Sequence, residues 1–110
     1  MAQPHASSGD VVDVTPLGDT LGQQVTHALI KSTQLELVRL VLPAGRALRE
    51  HRVAGEITVL CLEGVLDIRV DSVDHRLAPG QLVHLSAGAL HALRAVTDAS
   101  ALLTICLVAP

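Results

Sequence analysis

The chain has 110 residues, 49% of them hydrophobic, with no Phe, Tyr or Trp and a formal charge of −3 at pH 7. That length supports one domain, which removes roughly two-thirds of its extended surface from water on folding. The core must be built from Leu, Val, Ile and Ala, and the lack of aromatic rings counts against nucleic-acid recognition by base stacking. Without a basic footprint, nucleic acid and anionic membranes are not expected as partners, and no apolar run is long enough to span a bilayer.

In chain order, "MAQPHASSGD" (residues 1–10) is small and polar and reads as a flexible tail. It has no basic segment followed by an apolar one, so a cytoplasmic protein is expected, with its folded domain over residues 11–110. "VVDVT" (Val11 to Thr15) has strand character and stops at Pro16. "LGDTLGQQ" holds two glycines and makes a poor helix. "VTHALIK" (Val25 to Lys31) and "LELVRLVL" (Leu35 to Leu42) are β-rich, the second ending at "PAG". "RALREHR" is the one place where a helical turn competes, although glycines bound it closely. "ITVLCLE" (Ile57 to Glu63) meets "VLDIRVD" (Val65 to Asp71) across Gly64, a hairpin signal. "VDHRL" (Val73 to Leu77), "QLVHLS" (Gln81 to Ser86), "HALRAVT" (His91 to Thr97) and "ALLTICLVA" (Ala101 to Ala109) follow, with turn residues between them. Short strands at roughly ten-residue spacing predict an all-β sandwich or barrel.

Three of these strands are apolar at both parities: "LELVRLVL", "ITVLCL" and "ALLTICLV". A sheet with one face in water should alternate, so both faces are expected to be covered. A homodimer with sheets packed together is the prediction. The alternative is cover by N-terminal strands of the same chain. Cys61 and Cys106 each sit in an apolar run, outside any C-x-x-C pair, and read as buried reduced thiols.

The region from Gly45 to Ala95 carries two spaced sets of residues. Gly45 is followed by His51 and closed by Gly64. Gly80 is followed by Gly88 and His91. These spacings resemble the two motifs of the cupin superfamily, G-x5-H-x-H-x3-4-E-x6-G and G-x5-P-x-G-x2-H-x3-N. The resemblance implies a small jelly-roll β-barrel in which three histidines and a glutamate hold one divalent ion. This chain departs from the pattern. Val53 stands at the second histidine and Ile57 at the glutamate; Ser86 replaces the proline and Ala95 the asparagine. His51 and His91 are the ligands left in register.

Two imidazoles alone hold Fe, Mn, Ni or Zn weakly, since protein zinc sites use three or four protein ligands. Three residues could complete the shell. Glu56 lies one residue early and could swing inward on Gly55, His84 could add an imidazole, and Cys61 could add sulfur. Each also has a plain reading, as a solvated turn residue, a half-buried strand residue and a core residue respectively. Val53, Ile57, Cys61 and His84 are the expected lining of the pocket. The expected function is binding of a small organic ligand in the barrel, with either an incomplete divalent metal site between His51 and His91 or no metal. The alternative is a metal-dependent enzyme of the dioxygenase or isomerase kind acting on a small polar molecule. His5, His27 and His75 read as surface residues. Arg46, Arg49, Glu50 and Arg52 read as a solvated loop, from which one arginine could hold a carboxylate at the mouth. No G-x-S-x-G, Walker or dinucleotide pattern is present.

Overall fold

Branched aliphatic residues alternating with polar ones favour extended chain, and turn residues cut that chain into short lengths. The computed structural model describes residues 4–107 and contains nine strands among them. These are β1 (His27–Lys31), β2 (Leu35–Leu42), β3 (Ala47–His51), β4 (Ile57–Glu63), β5 (Leu66–Val70), β6 (Val73–Leu77), β7 (Leu82–Leu85), β8 (His91–Ala95) and β9 (Ala99–Cys106). They pair antiparallel into a five-stranded sheet, β1-β2-β9-β4-β7, and a four-stranded sheet, β3-β8-β5-β6. No helix among the described residues is long and apolar enough to cross a membrane.

Register decides which side chains enter the space between the sheets. Ile57, Val59 and Cys61 of β4 lie opposite Ile105, Leu103 and Ala101 of β9. On the other sheet Leu66 and Ile68 of β5 lie opposite Ala95 and Leu93 of β8. Because side chains alternate along a strand, these rows all point inward. Val59, Cys61, Leu66, Ile68, Ala95, Ala99 and Ala101 have no accessible surface. The core is therefore wholly aliphatic apart from one thiol.

The nine expected segments and the nine observed strands differ at two places. "VVDVT" is not a strand, because the Asp13 carboxylate accepts both the amide (2.9 Å) and the hydroxyl (2.7 Å) of Thr15, closing a local turn before Pro16. Val11 in that segment is 98% exposed. Conversely, "ALREH" is β3, neither loop nor helical turn, held by pairing with β8. "LGDTLGQQ" does form a helix, a short 3₁₀ segment over Gly18–Gln23. Cys61 is buried as expected, but Cys106 is exposed at the end of β9. Of the expected tail, residues 1–3 lie outside the described residues. Ala6 within it donates its amide to Leu29 O at 2.9 Å.

The N-terminal segment also answers part of the covering question. It crosses the outer face of the five-stranded sheet as a strap and adds no strand. Glu63 fastens the strap, accepting the amides of Leu17 (2.8 Å) and Gly18 (3.0 Å) and the hydroxyl of Ser100. Arg39 donates from Nη2 to Thr15 O at 2.6 Å and lies 3.5 Å from Glu63. Leu21 of the 3₁₀ segment is buried.

Two turns matter for the site. The β5–β6 hairpin turns on Asp71 and Ser72, both at positive φ (47° and 71°), the two-residue turn that suits strand twist. Its Asp71 amide donates to Leu90 O at 2.9 Å, tying the hairpin to the approach to β8. At the β4–β5 turn Gly64 has φ 75°, and a Cβ there would lie 2.1 Å from Asp98 O.

Candidate functional site

His51 ends β3 and His91 begins β8, and the two are direct cross-strand partners. A register irregularity between Leu48 and His51 brings them opposite one another. Their ring centroids are 4.2 Å apart, with the planes tilted by 55°. His91 shares its face with the buried Leu93 and Ala95, and is itself only 3% exposed. His51 lies nearer solvent. The pair therefore stands at one end of the barrel, one ring under the other's cover.

The hydrogen bonds of the two rings are alike. His51 Nδ1 is 2.9 Å from Arg49 O, and His91 Nδ1 is 3.1 Å from Ala89 O. A carbonyl oxygen only accepts, so each Nδ1 carries the proton and donates. In the neutral ring Nε2 then holds a lone pair, and its other nitrogen is already fixed by the backbone. Both imidazoles are thus oriented and left with one free acceptor each.

The residues expected to join them are distributed differently. Val53 is half-buried against the core, and its carbonyl accepts the Gly88 amide at 3.0 Å. Ile57 is a buried core residue at the same end of the barrel. Glu56 does not swing inward. Its Oε1 lies 2.7 Å from His84 Nε2, and both side chains are exposed on the outer face of the five-stranded sheet. Gly55 gives no latitude there, because its Cα packs against the Cys106 carbonyl so closely that a Cβ would sit 1.8 Å from that oxygen. The Cys106 amide further holds Glu56 O at 3.0 Å. His84 pairs laterally with Thr58, whose side chain faces outward, so it lines no barrel pocket. Cys61 lies four residues along β4 from Ile57, about 13 Å toward the opposite end. Its thiol contacts Gly64 O at 3.4 Å, and burial pushes it above the ordinary thiol range. Glu56, His84 and Cys61 are therefore corrected as ligand or lining residues of this site.

Sequence reasoning missed one residue. Glu36 of β2 lies in the lateral row of Ile105 and Ile57, the inward row. It is half-buried, and with Val53, Ala54, Gly55 and Ile105 it lines a cleft of about 270 Å³. Only parity marks it: in "LELVRLVL" the inward set is Glu36, Val38, Leu40 and Leu42, and its first member is a carboxylate. The expected arginine at the mouth is also reassigned. Arg49 lines a groove on the solvent side of the four-stranded sheet with Asp67, Arg69 and Arg94.

The donor set does not fit a four-ligand metal centre. Aliphatic side chains stand at two of the four ligand positions, and no group of three or more His, Cys, Asp or Glu among the described residues could hold an ion. What the arrangement offers is a pair of fixed Nε2 acceptors.

A family model described as a cupin domain matches residues 38–108. A conserved protein of unknown function from Streptococcus pyogenes has a solved structure similar to this one, with a TM-score of 0.76 and 24% identity, over 100% of this chain and 97% of that one. An RmlC-like cupin protein from Desulfovibrio desulfuricans aligns with TM-score 0.70 and 25% identity, over 93% and 97% of the two chains. An RmlC-like cupin with a double-stranded β-helix fold from Methanocaldococcus jannaschii aligns with TM-score 0.73 and 13% identity, over 89% and 93%. No curated protein sequence matches the chain. With the family pattern covering most of its length and the barrel matching over nearly all of it, the chain belongs to the cupin domain family.

Proposed function

We propose that this protein binds a small polar organic molecule at the barrel end where His51 and His91 meet. The observation that carries the reading is the shared geometry of the two rings, 4.2 Å apart with both Nδ1 atoms committed to backbone carbonyls. Side chains fixed in this way recognise a ligand with little entropy to lose. With each Nδ1 donating to the backbone, the Nε2 atoms are the ring groups left to meet a ligand, and in the neutral ring each is an acceptor. The ligand class is therefore one rich in donors, a polyol or an amine, in preference to a carboxylate. Val53 and Ile57 supply the apolar wall that such pockets need.

The test is a thermal-shift screen of sugars, polyols and amines against the parent and a His51→Ala/His91→Ala variant, beside elemental analysis of untagged protein purified without chelator. A compound that raises the melting temperature of the parent and not of the variant is the expected result. Ligands that stabilise both equally would overturn the reading. So would about one equivalent of metal in the parent that is absent from the variant, which would favour the metal-dependent enzyme instead.

A further inference from the structure

Six of the chain's seven arginines lie on the four-stranded sheet or in the residues next to it, in a chain whose net charge is −3. Such segregation steers anions toward one face. On the solvent side of that sheet Arg76 donates from Nε (2.9 Å) and Nη2 (3.1 Å) to the two carboxylate oxygens of Asp67. Arg69 holds Asp74 in the same way, at 2.8 and 3.2 Å. Arg49 and Arg94, by contrast, enter no ion pair among the described residues. Both are exposed, and both line a groove of about 530 Å³. Register explains its shape. Arg94 lies between Ala47 of β3 and Asp67 of β5, while Ala92, two residues earlier on β8, lies beside Arg69. Alanine at 47 and 92 keeps the floor low, and the longer side chains around it supply the walls.

We infer that this groove binds a small dicarboxylate, with one carboxylate on Arg49 and the other on Arg94. The face itself supplies the pairing rule. Each of its paired arginines meets a carboxylate through both Nε and Nη2, the planar fit that a guanidinium makes and an ammonium does not. Asp67 is engaged by Arg76, which leaves Arg94 to a carboxylate from outside the chain. Two unmatched forks call for two carboxylates. The volume falls within the range of about 300–1,000 Å³ that small-molecule sites occupy. Glu50 and Asp74 also line the groove. An anion whose two charges are separated, each held by one arginine, is therefore favoured over a phosphate, which concentrates them. Ala92 and Arg94 alternate along β8 with the inward-facing His91 and Leu93. The groove thus lies on the other face of the sheet from the histidine pair and does not depend on it.

Isothermal titration calorimetry of the full chain against unbranched diacids from malonate to adipate tests this, with acetate and inorganic phosphate beside them at the same low ionic strength. The best diacid of the series should saturate with one-to-one stoichiometry and bind at least about 10-fold more tightly than acetate or phosphate. Arg49→Gln and Arg94→Gln should each weaken it about 10-fold or more, since each removes one charged fork. Their circular dichroism should be that of the parent, because both side chains are exposed. Arg52→Gln removes the same charge outside the groove and should leave binding unchanged, as should His51→Ala/His91→Ala. The absence of saturable binding across the series would overturn the inference. So would phosphate binding as tightly as the best diacid, or glutamine variants at 49 and 94 that bind like the parent. A loss on Arg52→Gln equal to that on Arg94→Gln would overturn it too, by marking a diffuse effect of charge.

Discussion

A Cβ on Gly64 would meet Asp98 O at 2.1 Å and Ala99 Cα at 2.8 Å, in a backbone at φ 75° that side chains avoid. Both obstacles are backbone, so neither can rotate away. Gly64→Ala should destabilise the fold by about 2–4 kcal/mol, read as a lower urea midpoint at unchanged slope. Spacing alone marked Gly64, His51 and His91, because each sits where the chain turns or enters a strand at a fixed interval. Glu36 carried no such mark. Its inward direction follows from the pairing of β2 with β9, a contact between segments some seventy residues apart that no local pattern reveals. The Glu56–His84 pair was hidden for the same reason, since the two residues are 28 positions apart.

At the scale of elements, the strap hangs largely on one carboxylate. Burial pushes the Glu63 carboxyl up, but the Leu17 amide, the Ser100 hydroxyl, the Gly18 amide and the Arg39 guanidinium outweigh it and hold it below the ordinary carboxylate range. A depressed folded value means that the bound ionised form stabilises the native state. This contribution is complete above the unfolded value and is lost as pH falls through the folded one. Glu63→Gln should therefore flatten the acid limb of the stability curve followed by circular dichroism. At neutral pH the variant should lose about 1–3 kcal/mol, because an amide oxygen cannot serve all the donors the carboxylate accepts. Limited proteolysis should then cut within residues 10–20 first. The strands that were legible in the sequence are the apolar ones. β3 was not, because an edge strand with one face in solvent carries "RE" where a buried strand would carry leucine. "VVDVT" misled in the opposite sense: its valines have β propensity, yet an Asp–Thr turn competes locally and nothing lies beside it to pair with.

Across the whole molecule, two sheets close on a core filled by leucine, valine, isoleucine and alanine. Without a large ring to tolerate rearrangement, each aliphatic side chain is surrounded by others of similar size. Leu66→Ala, at a site with no accessible surface, should cost about 2–5 kcal/mol by chemical denaturation. The apolar character at both parities of β2, β4 and β9 led to the expectation that both faces of one sheet are covered, and the strap supplies part of that cover. How much of it the strap supplies depended on where the first twenty-odd residues travel, and turn chemistry alone does not say. The closeness of His51 to His91 has one more consequence. With no phenyl, phenol or indole anywhere in the chain, the downfield carbon-bound proton resonances of this protein come from its six imidazoles alone. Two of those rings lie near enough for each to displace the other's resonances by its circulating π electrons, so removing either one should visibly move the lines of the one that stays.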